Sequence, residues 1–136
     1  MYAIEFAFVF LIFFALIYGI LCYGILFAFR FGLQNAAEDG ARAALRYQVN
    51  LEARLAKAEE VTLARTEGWL PVKADVRTDV VYLDGANCGI TLAQRCQIVV
   101  RVTASALNAV LPPFPSVALP DSLVVQASVW LDGRSL

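Results

Sequence analysis

The chain has 136 residues, 60 % of them apolar, with a mean hydropathy of +0.64. That is room for one small domain, and it is too apolar for an ordinary soluble one. Eleven basic residues balance 12 acidic ones, so there is no basic footprint for nucleic acid. There is no His, which excludes Ser-His-Asp and Cys-His nucleophilic catalysis, His general bases and most zinc sites. Composition points to a membrane-anchored small domain that is not an enzyme.

From Phe6 to Phe29 every residue is apolar or Gly. As a helix this run is about 36 Å long, enough to cross a hydrocarbon core of about 30 Å. A cleavable secretory signal needs a basic start, a shorter apolar core and a small-residue exit. Met1-Tyr2-Ala3-Ile4 has no Lys or Arg, and the run leaves through Phe29-Arg30-Phe31-Gly32. The segment therefore reads as a permanent anchor. Glu5 stands at its head, with no basic side chain before Arg30. A carboxylate at the edge of hydrocarbon wants a partner. It either lies at headgroup level, capping the first turn and favoured by the helix dipole, or pairs with a cation of another chain.

Helical character continues past Arg30. Leu33–Glu67 has no Pro and one Gly, Gly40, and is rich in Ala, Leu, Glu and Arg, the strong helix formers. Leu33, Ala37, Ala44, Leu51, Leu55, Ala58 and Thr62 recur at helical spacing, marking one apolar side. Glu38 and Arg42 stand at i,i+4, the favourable order for an ion pair. Gly68 and Pro71 give the stop signal. The pattern predicts one unbroken helix from Tyr2 to Glu67, near 100 Å long.

After Pro71 the period changes to two. Val72, Ala74, Val76, Thr78, Val80 and Tyr82 face one way, and Lys73, Asp75, Arg77 and Asp79 the other, as in a half-buried strand. Asp84-Gly85 is a turn signal, 97–105 a second strand, Leu111-Pro112-Pro113-Phe114-Pro115 a stiff connector, and 123–131 a third strand closed by Asp132-Gly133. The expected fold is α+β: a long N-terminal helix, its inner half membrane-spanning, with a small antiparallel sheet packed on its outer half. The division falls into residues 1–32, the membrane half, and 33–136, the outer helix with its sheet.

Three Cys are present. Cys88 and Cys96 flank a short loop between two strands, where a disulfide is geometrically easy and would stabilise by about 2.5 kcal/mol. Two reduced thiols are the alternative, and two Cys without His are too few for zinc. Oxidation would place this part of the chain outside the cytosol. Cys22, in the apolar run, is expected to stay reduced as a small apolar side chain.

Glu at the fifth position, opening an unbroken apolar helix, resembles a mature type IV pilin. The stretch Gln34-Asn35-Ala36-Ala37-Glu38-Asp39-Gly40-Ala41-Arg42-Ala43-Ala44 resembles the core motif of TadE-like pilins from tight-adherence (type IVb) pilus systems. Gln34, Asn35, Gly40, Ala41 and Arg42 carry that likeness. The resemblance implies a processed form cut by prepilin peptidase, with Met1 as the mature N-terminus. It also implies a registering pair between the α-amino group of Met1 on one subunit and Glu5 of the next. Gly19 and Gly24 are then sites where helices approach closely or the helix flexes. Eight of the nine Phe lie between residues 6 and 31, as filament-core packing or lipid contact.

The function expected from this is structural. The subunit sits in the bacterial inner membrane with its sheet outside and is then drawn by the pilus assembly machinery into an extracellular filament. Its partners are further copies of itself or other pilins, its role is surface attachment and biofilm formation, and no cofactor or metal is implied. A membrane-anchored binding module that never polymerises is the alternative, and Glu5 speaks against it because a pure anchor gains nothing from a carboxylate. An enzyme is the weakest reading. Asp75 and Asp79 alternate with Lys73 and Arg77 on a solvated face, and Asp84-Gly85-Ala86-Asn87 lacks the remaining ligands of a calcium loop.

Overall fold

The computed structural model describes residues 2–46, 50–83, 88, 95–109 and 120–131. Met1, the Asp84-Gly85 turn, the 111–115 connector and Asp132-Gly133 lie outside the described residues. The described elements are helix α1 (Tyr2–Ala44), helix α2 (Leu51–Thr66), strand β1 (Ala74–Tyr82), strand β2 (Cys96–Ser105), a short 3-10 turn at Leu107–Ala109, and strand β3 (Ser122–Leu131). The class is α+β, as the sequence predicts.

One expectation fails. The helix predicted to run unbroken from Tyr2 to Glu67 is two helices, and the second folds back along the first. Four contacts fix this antiparallel course. The Arg54 guanidinium donates to the Ala44 carbonyl at 3.0 Å. Gly40 lies against Ala58 and Thr62, Arg65 pairs with Asp39 at 3.1 Å, and Trp69 covers Gly32. No Gly or Pro marks the break. Its signal is Asn50, an N-cap whose side-chain oxygen accepts from the Ala53 amide at 2.8 Å. Glu52 adds a favourable charge to the first turn. Arg54 does the complementary work on α1, placing its positive charge on the last carbonyl of that helix, at the negative end of the dipole.

Small side chains make the close approach possible. Ala36, Ala37, Gly40, Ala41, Ala43, Ala44 and Ala58 are all buried. The buried stripe of α2 is Arg54, Ala58, Thr62 and Thr66, every fourth residue. Leu51 and Leu55, on the predicted apolar side, are only half-buried, because the stripe that α2 turns to the core is Arg54, Ala58, Thr62 and Thr66. The Thr62 and Thr66 hydroxyls donate back to the carbonyls of Ala58 (2.7 Å) and Leu63 (2.9 Å), so neither is buried without a partner. After Thr66 the Glu67 amide bonds the Leu63 carbonyl at 3.0 Å. Gly68 takes a φ of +88°, which favours glycine.

The sheet order is β1-β2-β3, antiparallel throughout. Across the three strands the register stacks Ala74–Ala104–Leu123, Val76–Val102–Val125 and Val80–Ile98–Val129 on one face. That face packs on both helices, with Leu33, Ala37, Ala41, Ala44 and Ala58 completing the core. The strands match the predicted alternation to within two residues at each end. The core also reaches below Leu33, to Leu26 and the half-buried Phe29, inside the apolar run. At the far end of the sheet Cys96 is buried and bonded to Cys88, their Cα atoms 5.6 Å apart. The predicted disulfide is thus present, and Cys22 is free and buried.

Candidate assembly surface

The first half of α1 has little of the protein around it. From Ala3 to Leu21 no side chain is buried, and Phe6 is 70 % exposed. These residues span about 28 Å, close to the thickness of a hydrocarbon core. The helix is long and apolar enough to cross a membrane, and only 11 % of its most apolar window is buried. A core helix of a soluble protein would be mostly covered, so this surface requires lipid or other helices. Phe6, Phe10, Phe14 and Tyr18 form a ladder of stacked rings along it, successive centroids 6.1, 6.2 and 6.4 Å apart. Spacing of four residues puts them on one side of the helix.

Glu5 lies in the first turn and is exposed. Among the described residues it has no ion-pair or hydrogen-bond partner. Met1, its expected partner across subunits, lies outside the described residues. α1 passes through Gly19 and Gly24 without a break, and a Cβ at either would meet nothing within 4 Å. Open helix surface is therefore available at both. An apolar groove adjoins Gly24, lined by Phe27, Ala28, Arg30, Phe31 and Gln34.

The motif residues Gln34 to Ala44 sit on the outer part of α1, where sheet and α2 dock. Gln34 donates to the Gln126 carbonyl of β3 and to Glu38, both at 3.3 Å. Asn35 is exposed. Gly40 and Ala41 are buried, and Arg42 reaches Glu38 at 3.9 Å, the predicted i,i+4 pair. Residues 1–42 match the family model described as TadE-like protein. This segment is TadE-like. It connects the chain in general terms with tight-adherence (Tad) pilus systems. The TadE-like segment covers nearly all of α1 and ends where α2 and the sheet take over. No curated protein matches the chain, and no solved structure does.

The small residues of the TadE-like segment have a local physical account. A Cβ at Gly40 would overlap Thr62 Oγ1 and stand 2.8 Å from the Ala58 carbonyl oxygen. A Cβ at Gly32 would come within 2.5 Å of the Trp69 ring, which also stacks on Phe29 at 6.4 Å. Sequence reasoning did not single out Trp69, Asn50 or Arg54. Asn50 followed by Glu52 was the readable sign. Nothing local distinguishes Arg54 from the exposed arginines of a surface helix. On the sheet, Asp75 is exposed and accepts from Arg77 Nε at 3.2 Å. Among the described residues no three of His, Cys, Asp and Glu cluster to hold a metal.

Proposed function

We propose that this chain is a non-enzymatic structural subunit of a tight-adherence pilus, held in the inner membrane by α1 and then assembled with further copies or other pilins into a filament. Residues 1–32 form the membrane and filament-core half, and 33–136 the extracytoplasmic half. The observation that carries this is Glu5: a lone exposed carboxylate at the head of a bare apolar helix, in a segment that is TadE-like. In lipid it rests near the headgroups, which a monomer tolerates. In a packed helical core it is drier, and an unpaired charge there is expensive, so it selects a register in which a neighbour supplies a cation. An α-amino group freed by prepilin peptidase on a neighbouring subunit is one such cation. The assembly machinery draws the subunit outward, and the filament serves surface attachment and biofilm formation.

The test compares sheared filament fractions with membrane fractions for the wild type, Glu5→Leu and Glu5→Gln. Removing the charge should leave membrane levels equal or higher and lower incorporation for both variants. Normal incorporation of both beside equal membrane levels refutes the assembly role of Glu5 and favours an anchor that never polymerises.

A further inference from the structure

Glu5 and Arg30 are the only charged residues between Tyr2 and Ala37. They stand about 37 Å apart along α1. With the helix centred in a hydrocarbon core of about 30 Å, each charge lies about 3–4 Å outside it, at headgroup level in opposite leaflets. Two features of the fold put the same boundary near Arg30. Trp69, still 39 % exposed, lies over Gly32, about 3 Å beyond Arg30 along the axis, and Trp rings settle at headgroup level. The core shared with the sheet reaches down to Leu26 and Phe29, and from Ala3 to Leu21 no side chain is buried. The base of the folded domain thus rests at the edge of the hydrocarbon. Beside Arg30, at this level, is the groove lined by Gly24, Phe27, Ala28, Phe31 and Gln34. It lies away from the side of α1 that the sheet and α2 bury through Leu26, Leu33 and Ala37. The Gln34 side-chain nitrogen is taken by the Gln126 carbonyl and Glu38. Arg30 is exposed, and among the described residues it has no ion-pair or hydrogen-bond partner. The next acid on α1, Glu38, is about 12 Å further along and already meets Arg42.

We infer that this groove holds an anionic phospholipid of the leaflet nearest the folded domain, its phosphate on Arg30 and an acyl chain across Gly24. This rests on the membrane anchoring in the reading above and not on polymerisation. Charge and depth together select the occupant. Arg30 offers a cation at headgroup level, and a planar guanidinium meets a phosphate with two parallel hydrogen bonds. Gly24 lies about 9 Å deeper, inside the hydrocarbon. A Cβ there meets nothing within 4 Å, so the missing side chain leaves room for a lipid tail. Phe27 and Phe31 line the path between headgroup and tail, both exposed and apolar. A phospholipid joins an anion to an apolar chain in this same order along the membrane normal. A second copy of the chain does not fit as well. Two copies anchored in one bilayer share a depth, so each would bring its own Arg30 to this level, cation against cation. A net anionic headgroup is favoured over a zwitterionic one, whose own cation offsets the attraction of Arg30.

The test uses the full chain in vesicles of equimolar phosphatidylglycerol and phosphatidylcholine. Flotation first establishes that the chain is anchored, and native mass spectrometry after detergent extraction then counts the lipid it keeps. Wild type should retain phosphatidylglycerol over phosphatidylcholine by about fivefold. Arg30→Gln should abolish that preference and Arg30→Lys should keep most of it. Gly24→Leu, which fills the groove without meeting the rest of the fold, should lower retention of both lipids. Phe13→Leu, on the bare part of α1, should change neither. A photoreactive benzoylphenylalanine placed at Phe27 gives a second readout in the same vesicles, and irradiation should yield a covalent lipid adduct. Unchanged preference in Arg30→Gln, or unchanged retention in Gly24→Leu, overturns the site while the anchor stands. A covalent dimer in place of the lipid adduct assigns the groove to a second copy instead. A wild-type chain that does not float with the vesicles refutes the anchor, and the lipid site falls with it.

Discussion

Replacing Gly40 by Ala distinguishes a folded-back α2 from an unbroken helix by the sign of the effect. In the interior of a helix with nothing beside it, Ala is more stable than Gly by about 1 kcal/mol. Here the added methyl would overlap Thr62 Oγ1 and lie 2.8 Å from the Ala58 carbonyl oxygen. Neither neighbour is a loose side-chain end. One is backbone, and the hydroxyl is tied to that same carbonyl at 2.7 Å, with both residues fully buried. α2 must move outward, and such overpacking costs about 3 kcal/mol at the upper end of its usual range. The net expectation is destabilisation by about 2 kcal/mol. Guanidinium unfolding of the full chain in detergent, followed by Trp69 and Trp130 fluorescence, measures it. Thr62→Ala removes the overlapping oxygen, so the double variant should be less destabilised than the sum of the singles by about 1 kcal/mol. A Gly40→Ala chain that is more stable than wild type would refute the helix hairpin, since only an uncontacted position gains from the methyl.

Three further outcomes follow from the same packing. Arg54→Ala removes a fully buried side chain and the donor on the Ala44 carbonyl. It should cost about 2–4 kcal/mol in the same unfolding assay, and a loss under 0.5 kcal/mol would mean that α1 ends without its help. Cys88→Ser should lower stability by about 2.5 kcal/mol through the lost loop closure. In native protein both Cys88 and Cys96 should resist alkylation until reduced, and ready alkylation of both would disprove the bond. Ile98→Ala, at a fully buried centre of β2, should cost about 2–5 kcal/mol. Leu55→Ala, half-buried on α2, should cost about half as much, and equal losses would put Leu55 in the core.

Much of this protein is decided by local pattern. The apolar run needs no partner to declare itself a membrane-length helix, and alternation along 74–82, 96–105 and 122–131 assigns both the strands and their inward faces. The short loop between Cys88 and Cys96 predicts its own disulfide, because ring closure over a few residues depends little on the rest of the fold. Glu5 stands out for the same reason, as a lone charge at the head of an apolar run.

The course of the chain after Ala44 is another matter. Leu33–Glu67 has helical propensity throughout and no Gly or Pro at 45–50, so local energetics permits one long helix. The hairpin prevails because folding back buries the small face of α1 against Ala58 and Thr62, and because Arg54 and Asn50 satisfy the helix ends that the break creates. Those gains come from residues 10 to 37 positions apart in sequence, between Ala44 and Arg54 and between Gly32 and Trp69. The same distance hides the reason for Gly40. In sequence it is one small residue in a family-like motif. Only the opposing backbone of α2 shows that a single methyl group would not fit there.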